Sequence, residues 1–137
     1  MKKDKATDAY DAGDYETALK EFRKLAEKGD AEAQNNLGVM YAKGEGVTQN
    51  NKEAAKWYHL AAEQGHASAQ YNLGVMCYTT KYHGTTIRDK KEGAKWYHLA
   101  AEQGHAGAQY RLGLMYRDEF GDDESTLKLL RLAAKQG

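Results

Sequence analysis

The chain contains the segment Lys56-Trp57-Tyr58-His59-Leu60-Ala61-Ala62-Glu63-Gln64-Gly65-His66-Ala67, which returns without change as residues 95–106. It also contains Ala33-Gln34-Asn35-Asn36-Leu37-Gly38-Val39-Met40, which returns with substitutions as residues 69–76 and 108–115. The copies are spaced by about 36 to 39 residues. A repeat of this length that holds two helical patterns is typical of an α-solenoid, a stack in which each repeat packs on its neighbours.

The second helix of each repeat is predicted from apolar residues spaced three and four apart, which share one helix face. In the first copy this buried face consists of Ala54, Trp57, Tyr58, Ala61 and Ala62. We expect Asn50 or Asn51 to cap this helix and Gly65 to end it. The later copies place Ala94, Trp96, Tyr97, Ala100 and Ala101, and then Thr126, Leu129, Leu130, Ala133 and Ala134, on the buried face.

The first helix of each repeat is predicted over residues 31–42, 67–78 and 106–117. Each copy carries a glycine in its middle, at Gly38, Gly74 and Gly113. Glycine inside a helix costs about 1 kcal/mol relative to alanine. We interpret its recurrence as a sign that the partner helix approaches too closely for a Cβ.

A shorter helical pattern precedes these repeats, with Ala18, Phe22, Leu25 and Ala26 as its buried stripe. The chain is therefore predicted to be all-α, a single domain over residues 1–137. Its four helical hairpins would span about residues 1–29, 30–65, 66–104 and 105–137.

The charges of the chain balance, with 20 basic and 20 acidic side chains. This balance predicts no nucleic-acid partner. No apolar stretch approaches the roughly 20 residues that span a bilayer, so we expect no membrane insertion. The basic N-terminus lacks the apolar core of a signal peptide. As written, the chain is expected to be cytoplasmic, or periplasmic or secreted if a signal peptide has been removed.

Five histidines raise the question of a metal site: His59, His66, His83, His98 and His105. A site needs three or four converging ligands, and we favour copied surface residues and no metal. Cys77 is interpreted as a buried core thiol, and Trp57 and Trp96 as core side chains. No motif indicates catalytic residues or a cofactor, so the chain is predicted not to be an enzyme.

Three segments carry a family resemblance: Ala31-x-Ala33-x-x-x-Leu37-Gly38-x-x-Tyr41, then Gly44-x-Gly46-Val47, then Ala54-x-x-Trp57-Tyr58-x-x-Ala61-Ala62-x-x-Gly65. Together they resemble the Sel-1-like repeat family, a branch of the tetratricopeptide superfamily. The resemblance implies a right-handed α-α superhelix that serves as an adaptor or scaffold for protein complexes. Many bacterial members of the family are secreted, periplasmic or engaged with host proteins. Some cysteine-rich members are discussed as β-lactam-binding proteins, but their paired cysteines are missing from this chain.

The resemblance also implies which residues meet a partner, because the first helices line the concave face of tetratricopeptide-like stacks. The candidates are Asn35, Asn36, Val39, Tyr71, Asn72, Val75, Tyr110, Arg111 and Leu114. Amide, aromatic and guanidinium groups together suit an extended or helical peptide. The slots of Asn36, Asn72 and Arg111 are those of a carboxylate clamp, but Asn35 and Gly107 replace its lysines.

The sequence thus predicts a protein–protein interaction module that binds a protein or peptide on its concave surface. Two alternatives stay open. The first is an enzyme or a small-ligand protein that binds a β-lactam or a metal. The second is a structural repeat that assembles end to end through its C-terminal face.

Overall fold

The computed structural model describes residues 2–79, 90–120 and 124–136. These residues form eight α-helices and no strand. In chain order the helices are α1 (Lys2–Asp11), α2 (Tyr15–Glu27), α3 (Ala31–Lys43), α4 (Asn51–Glu63), α5 (Ala67–Thr79), α6 (Lys90–Glu102), α7 (Ala106–Phe120) and α8 (Glu124–Gln136). None of them is both long and apolar enough to cross a membrane.

Each helix packs against the next helix along the chain, both within a pair such as α3–α4 and between pairs such as α4–α5. Packing that runs from neighbour to neighbour makes a solenoid, because the core continues from one pair to the next. The core contains Trp57 and Trp96, at 8% and 7% exposure, as well as Cys77, which is fully buried. The predicted all-α stack and the core positions of these three residues are confirmed.

The recurring glycines lie where the two helices of a pair meet most closely. A Cβ on Gly38 would lie 2.7 Å from ring carbons of Tyr58, and one on Gly74 would lie 2.8 Å from those of Tyr97. Real Cβ contacts are longer, so only glycine allows the aromatic ring of the second helix to reach the first helix. The expected close approach is therefore confirmed.

Two residues of the predicted buried faces lie elsewhere. Gly93, not Ala94, occupies the buried position in α6, where a Cβ would lie 2.6 Å from the ring of Tyr78. The copies are 39 residues apart here, so Ala54 corresponds to Gly93. In α8, Ala134 is exposed although Ala133 is buried, since no further helix covers that side of α8 among the described residues.

The helix ends follow local hydrogen bonding. The Asn50 side chain accepts a hydrogen bond from the Glu53 amide at 3.1 Å, which makes Asn50 the N-cap of α4. Gly65, with a φ of +92°, follows the same helix, and its amide donates to the Ala62 carbonyl. This left-handed conformation favours glycine, and it turns the chain into the next pair.

A glutamine at the end of each of two pairs bonds to the last glycine of the preceding pair and to a glutamine of its own pair. Gln64 donates to the Gly29 carbonyl at 3.0 Å and to the Gln34 side-chain oxygen at 2.9 Å. One repeat later, Gln103 donates to the Gly65 carbonyl at 2.8 Å and to the Gln70 side-chain oxygen at 2.9 Å. The unchanged segment of the sequence therefore carries an inter-repeat hydrogen bond as well as a helix face. We call these bonds the glutamine ladder.

Candidate functional site

The nine candidate residues lie on the first helices of three successive pairs, α3, α5 and α7. We call their common face the A-helix surface. Tyr110 and Arg111 are exposed, and Asn35 is buried. The remaining six are half-buried: Asn36, Val39, Tyr71, Asn72, Val75 and Leu114. Exposure therefore increases from α3 toward α7.

Asn35 and Asn72 bond to each other. The Asn72 side-chain nitrogen donates to the Asn35 side-chain oxygen at 3.0 Å and so joins α5 to α3. Only 8% of Asn35 is exposed. The side-chain oxygen of Asn35 thus already accepts a hydrogen bond within the fold. Asn72 can offer a partner only those amide groups of its side chain that this bond does not use.

The next pair of helices carries a different polar pair at the corresponding positions, Tyr71 and Arg111. Hydrogen bonding to Tyr71 raises the pKa of Arg111 above its ordinary value. The Tyr71 ring stacks on His105, with ring centroids 4.7 Å apart, and also contacts Tyr97. Tyr71 therefore packs within the fold and also positions a guanidinium group at the surface.

Tyr110 occupies the position in α7 that corresponds to Tyr71 in α5. It is 51% exposed, more than any other large hydrophobic side chain in the described part of the chain. Arg111 and Arg117 on the same helix are also exposed. The α7 end of the A-helix surface therefore presents an exposed aromatic ring with Arg111 next to it in the chain and Arg117 about two helical turns further along.

At its other end the A-helix surface opens into a cavity of about 320 Å³. We call it the α1–α3 cavity; it is lined by Thr7, Tyr10, Asp11, Phe22, Glu32, Asn36 and Val39. Two of the candidate residues, Asn36 and Val39, contribute to it. The residues from α1 were not among the candidates, although the helical pattern before Gly13 could have indicated that α1 lies beside α3.

The histidines have structural partners. His66 and His105 accept hydrogen bonds through Nδ1 from the amides of Ala69 and Ala108, at 3.2 and 3.1 Å, and so cap α5 and α7. Asp30 caps α3 in the same way. In the residue ranges that the structure describes, no group of three or more His, Cys, Asp or Glu side chains could hold a metal. His83 lies outside those ranges.

His59 and His98 contact neighbouring side chains instead. The Nδ1 atom of His59 lies 2.8 Å from a Glu63 carboxylate oxygen. The Nε2 atom of His98 lies 2.9 Å from the Tyr116 hydroxyl, which connects α6 to α7. The sequence interpretation of these residues as copied surface positions missed both contacts. The spacing of four residues could have indicated the contact of His59 with Glu63, but only the fold reveals that of His98 with Tyr116.

Solved structures of two bacterial proteins are similar to this chain. A Sel1 repeat protein from Oxalobacter formigenes is 37% identical, with a TM-score of 0.84, over 96% of this chain and 54% of that one. A protective antigen of uropathogenic Escherichia coli with an SLR fold is 29% identical, with a TM-score of 0.79, over 90% of this chain and 27% of that one. The chain thus spans about half the length of the first protein and about a quarter of the second. No curated protein matches it.

The family model of the Sel1 repeat matches residues 31–66, 67–105 and 106–137, which is most of the chain. Sel1 repeat proteins generally serve as protein–protein interaction modules, and their scaffold is typically non-catalytic. The repeated sequence, the stacked helix pairs and the similar structures agree with this match. This chain belongs to the Sel1 repeat family.

Proposed function

We propose that this chain binds a partner protein or peptide across its A-helix surface. In this proposal residues 1–137 act as one domain of four hairpins, 1–29, 30–65, 66–104 and 105–137. Binding rather than catalysis is the proposed activity, since the family scaffold is typically non-catalytic.

The exposed ring of Tyr110 is the observation that carries the proposal. Tyrosine and arginine are enriched among the few residues that supply most of the binding energy in protein interfaces. Tyr110 stands next to Arg111, which is hydrogen-bonded to Tyr71 and therefore partly ordered before binding. A group that is already ordered loses less conformational entropy when a partner binds.

The chemistry of this end of the surface favours a carboxylate on the partner. Arg111 and Arg117 are both exposed on α7, and a guanidinium group binds a carboxylate through two parallel hydrogen bonds. The partner's carboxylate could come from an acidic side chain or from a chain terminus. The side-chain amides of Asn36 and Asn72 would form hydrogen bonds with the partner's backbone.

Tyr110→Ala tests the proposal. We expect it to weaken partner binding about tenfold, because it removes an exposed aromatic anchor, and to leave thermal unfolding unchanged. Leu60→Ala is the matched control, since Leu60 is 40% exposed on α4, a second helix of its pair. Partners would be captured by cross-linking in the native cell, purified, and titrated against each variant by calorimetry. Weaker binding by Leu60→Ala with unchanged binding by Tyr110→Ala would refute the proposal.

Exposed leucines on α8 favour a second candidate, self-association. Leu127 and Leu132 are 40% and 38% exposed on this helix. We propose that α8 packs against a second copy when no other partner covers it. Light scattering should then show a mass that rises with protein concentration, and Leu127→Lys should abolish the rise. A constant monomer mass would refute this candidate.

A further inference from the structure

A cavity of about 330 Å³ lies where α8 meets α6 and α7, and we call it the α6–α8 cavity. Its interior is apolar, since Leu112 is 2% exposed and Leu129 is half-buried. Glu102 and Lys128 also line it, and both are exposed, so they lie at its opening. None of the nine candidate residues of the A-helix surface is among its lining residues. The cavity is therefore a separate site.

The two preceding pairs carry a tryptophan where the last pair has Leu129. Each of the three residues follows a lysine and stands four residues before two alanines, which aligns Leu129 with Trp57 in α4 and Trp96 in α6. The two tryptophans are 8% and 7% exposed, so the fold buries an indole ring at this position twice. Trp96 packs edge-on against His59 of the preceding pair, with ring centroids 5.8 Å apart. The residue that corresponds to His59 is His98, which lines the α6–α8 cavity.

The walls around the Trp96 ring have counterparts in the α6–α8 cavity. The core cluster that contains Trp96 also contains Ala62 of α4 and Leu73 of α5. The corresponding residues one unit later are Ala101 and Leu112, and both line the cavity. The cavity thus corresponds to the place of an indole ring that the smaller leucine side chain does not fill.

Tyr116 also lines the cavity, and the first tryptophan shows that a tyrosine at this position leaves room for an indole ring. Tyr116 corresponds to Tyr41, which belongs to the same core cluster as Trp57. The Tyr41 hydroxyl accepts a hydrogen bond from Arg23 at 2.6 Å, and the Tyr116 hydroxyl lies 2.9 Å from Nε2 of His98. Arg23 and His98 are corresponding residues. The contact between Tyr116 and His98 is therefore compatible with an indole ring in the cavity.

A lysine accompanies each indole ring. The Lys56 ammonium lies 5.6 Å from the centroid of the Trp57 ring, and the Lys95 ammonium lies 5.9 Å from that of Trp96. Tryptophan is the aromatic side chain that attracts a cation most strongly. Lys128, at the opening of the cavity, corresponds to both lysines. Its ammonium group can therefore cover a ring that enters the cavity.

The cavity is large enough for an indole ring, which has to come from another protein. An apolar cavity of about 150 Å³ admits benzene, so a cavity of about 330 Å³ leaves room for a larger ring. A charged or amide side chain would lose its hydration against Leu112 and Leu129. The chain has two tryptophans, and both are buried in its own core. A second folded copy therefore has no tryptophan to offer.

We propose that the α6–α8 cavity binds a tryptophan side chain of a partner protein, with the indole ring against Leu112 and Leu129 and the Lys128 ammonium over its face. This site goes beyond the proposed function, because it lies apart from the A-helix surface. It provides an apolar anchoring point beside α6 and α8, the second helices of their pairs.

A titration followed by NMR tests the site with defined probes. The probes are Nα-acetyl-tryptophan methylamide and Nα-acetyl-norleucine methylamide, which is apolar but has no ring. The tryptophan probe should shift backbone amides at residues 98–102, 112–116 and 128–132, and the norleucine probe should shift them much less. Lys128→Met keeps an apolar stem and removes the charge, so it should weaken binding of the tryptophan probe about threefold.

Leu129→Trp restores the residue of the two earlier pairs. The chain's own indole ring should then fill the cavity, and binding of the tryptophan probe should be lost. Leu127→Trp is the matched control, because Leu127 is exposed on the same helix and does not line the cavity, and it should bind the probe normally. Leu129→Phe is a second filling variant and should also weaken binding. Thermal unfolding of each variant is measured first, so that a loss of binding reports on the cavity.

Equal shifts with both probes, or undiminished binding of the tryptophan probe by folded Leu129→Trp or Leu129→Phe, would overturn the inference. Selection from a random peptide library tests the source of the ring. Peptides recovered on the unchanged protein should be enriched in tryptophan, and those recovered on Leu129→Trp should not. Binding of the probe without this enrichment would overturn the assignment to a partner protein. Tyr110→Ala should leave binding of the probe unchanged, so this inference and the proposed function can fail independently.

Discussion

At the scale of single residues, an imidazole replaces a carboxylate as a helix cap. Asp30, His66 and His105 occupy corresponding positions before α3, α5 and α7, and each accepts a hydrogen bond from the amide three residues later. An imidazole can accept this bond only when Nδ1 carries no proton. The positive end of the helix dipole also disfavours a cation at that place. This part of the helix stability therefore depends on pH.

His105 makes the dependence testable. Burial lowers its pKa below the ordinary value of 6.5. Below pH 6.5 the unfolded chain then binds more protons than the folded chain, so the free energy of unfolding falls as the pH drops. His105→Asp keeps the cap and should lose much less stability between pH 7.5 and pH 5. Urea unfolding of both proteins at the two pH values measures the difference. An identical pH dependence in both would contradict this account.

His105→Ala supplies the control for the cap itself. Removing a capping side chain costs about 1 kcal/mol, and this loss should be present at pH 7.5 and smaller at pH 5. The sequence contained the signal for this role, since Asp30 precedes the first copy and His66 and His105 precede the next two. The sequence interpretation of the histidines as surface residues does not include this role, because imidazole is not among the residues that commonly cap helices.

At the scale of helices, the size of one side chain distinguishes the last pair. Leu129 in α8 corresponds to Trp96 in α6. Trp96 packs edge-on against His59, with ring centroids 5.8 Å apart. The smaller Leu129 leaves the α6–α8 cavity open where α8 meets α6 and α7.

Leu129→Phe should partly fill the α6–α8 cavity. Filling a cavity without strain commonly adds about 0.5 to 2 kcal/mol to the free energy of unfolding, and we expect about 1 kcal/mol. Leu127→Phe is the control, because Leu127 is exposed on the same helix and does not line this cavity. Chemical unfolding of the three proteins gives the comparison. Destabilisation by Leu129→Phe would show that the cavity closes or is too narrow for the ring.

The helices themselves were predictable, and one register error shows the limit. The spacing of apolar residues indicated both helices of each of the three repeats and α2 before them, because a helix buries one face. The assignment of Ala94 was wrong because the position that corresponds to Ala54 is Gly93, which has no apolar side chain to mark it as buried. In the fold a glycine at that position lets the Tyr78 ring pack closely, and this contact depends on a residue of another helix.

At the scale of the whole molecule, each pair of the described helices packs chiefly against the pairs next to it in the chain. The glutamine ladder repeats this connection, with Gln64 reaching back to Gly29 and Gln103 reaching back to Gly65. Local contacts of this kind allow parts of a stack to open separately. The ladder should therefore control how strongly the opening of one pair is coupled to the next.

Gln64→Ala and Gln103→Ala test this coupling by amide hydrogen exchange. Gln64→Ala should speed exchange mainly around residues 28–34 and 63–67, and Gln103→Ala mainly around residues 64–70 and 102–106, because each removes hydrogen bonds of one junction. Each should lower the free energy of unfolding by about 1 kcal/mol. A uniform rise in exchange along the chain in both variants would show instead that the stack opens as one unit.

The candidate surface was less predictable than the stack. The repeat pattern placed all nine candidates on the first helices, as the structure has them. It could not indicate that Asn35 is buried beneath Asn72, because that contact depends on how closely α5 approaches α3. Nor did it include Tyr10 and Asp11, because α1 lies outside the three better-matched repeats. The part of the nine candidates in partner binding stays a prediction.

The glutamine ladder has a consequence for how such a chain can grow. Each unit carries near its end a glutamine that donates to the preceding unit, Gln64 or Gln103, and next to it a glycine whose carbonyl can accept from the following unit, as Gly65 does. A duplicated stretch of DNA that encodes one unit therefore encodes both the donor and the acceptor of the hydrogen bond between units. The new unit can be inserted between two existing ones without any compensating change. Copy number can then vary while the binding residues diverge independently.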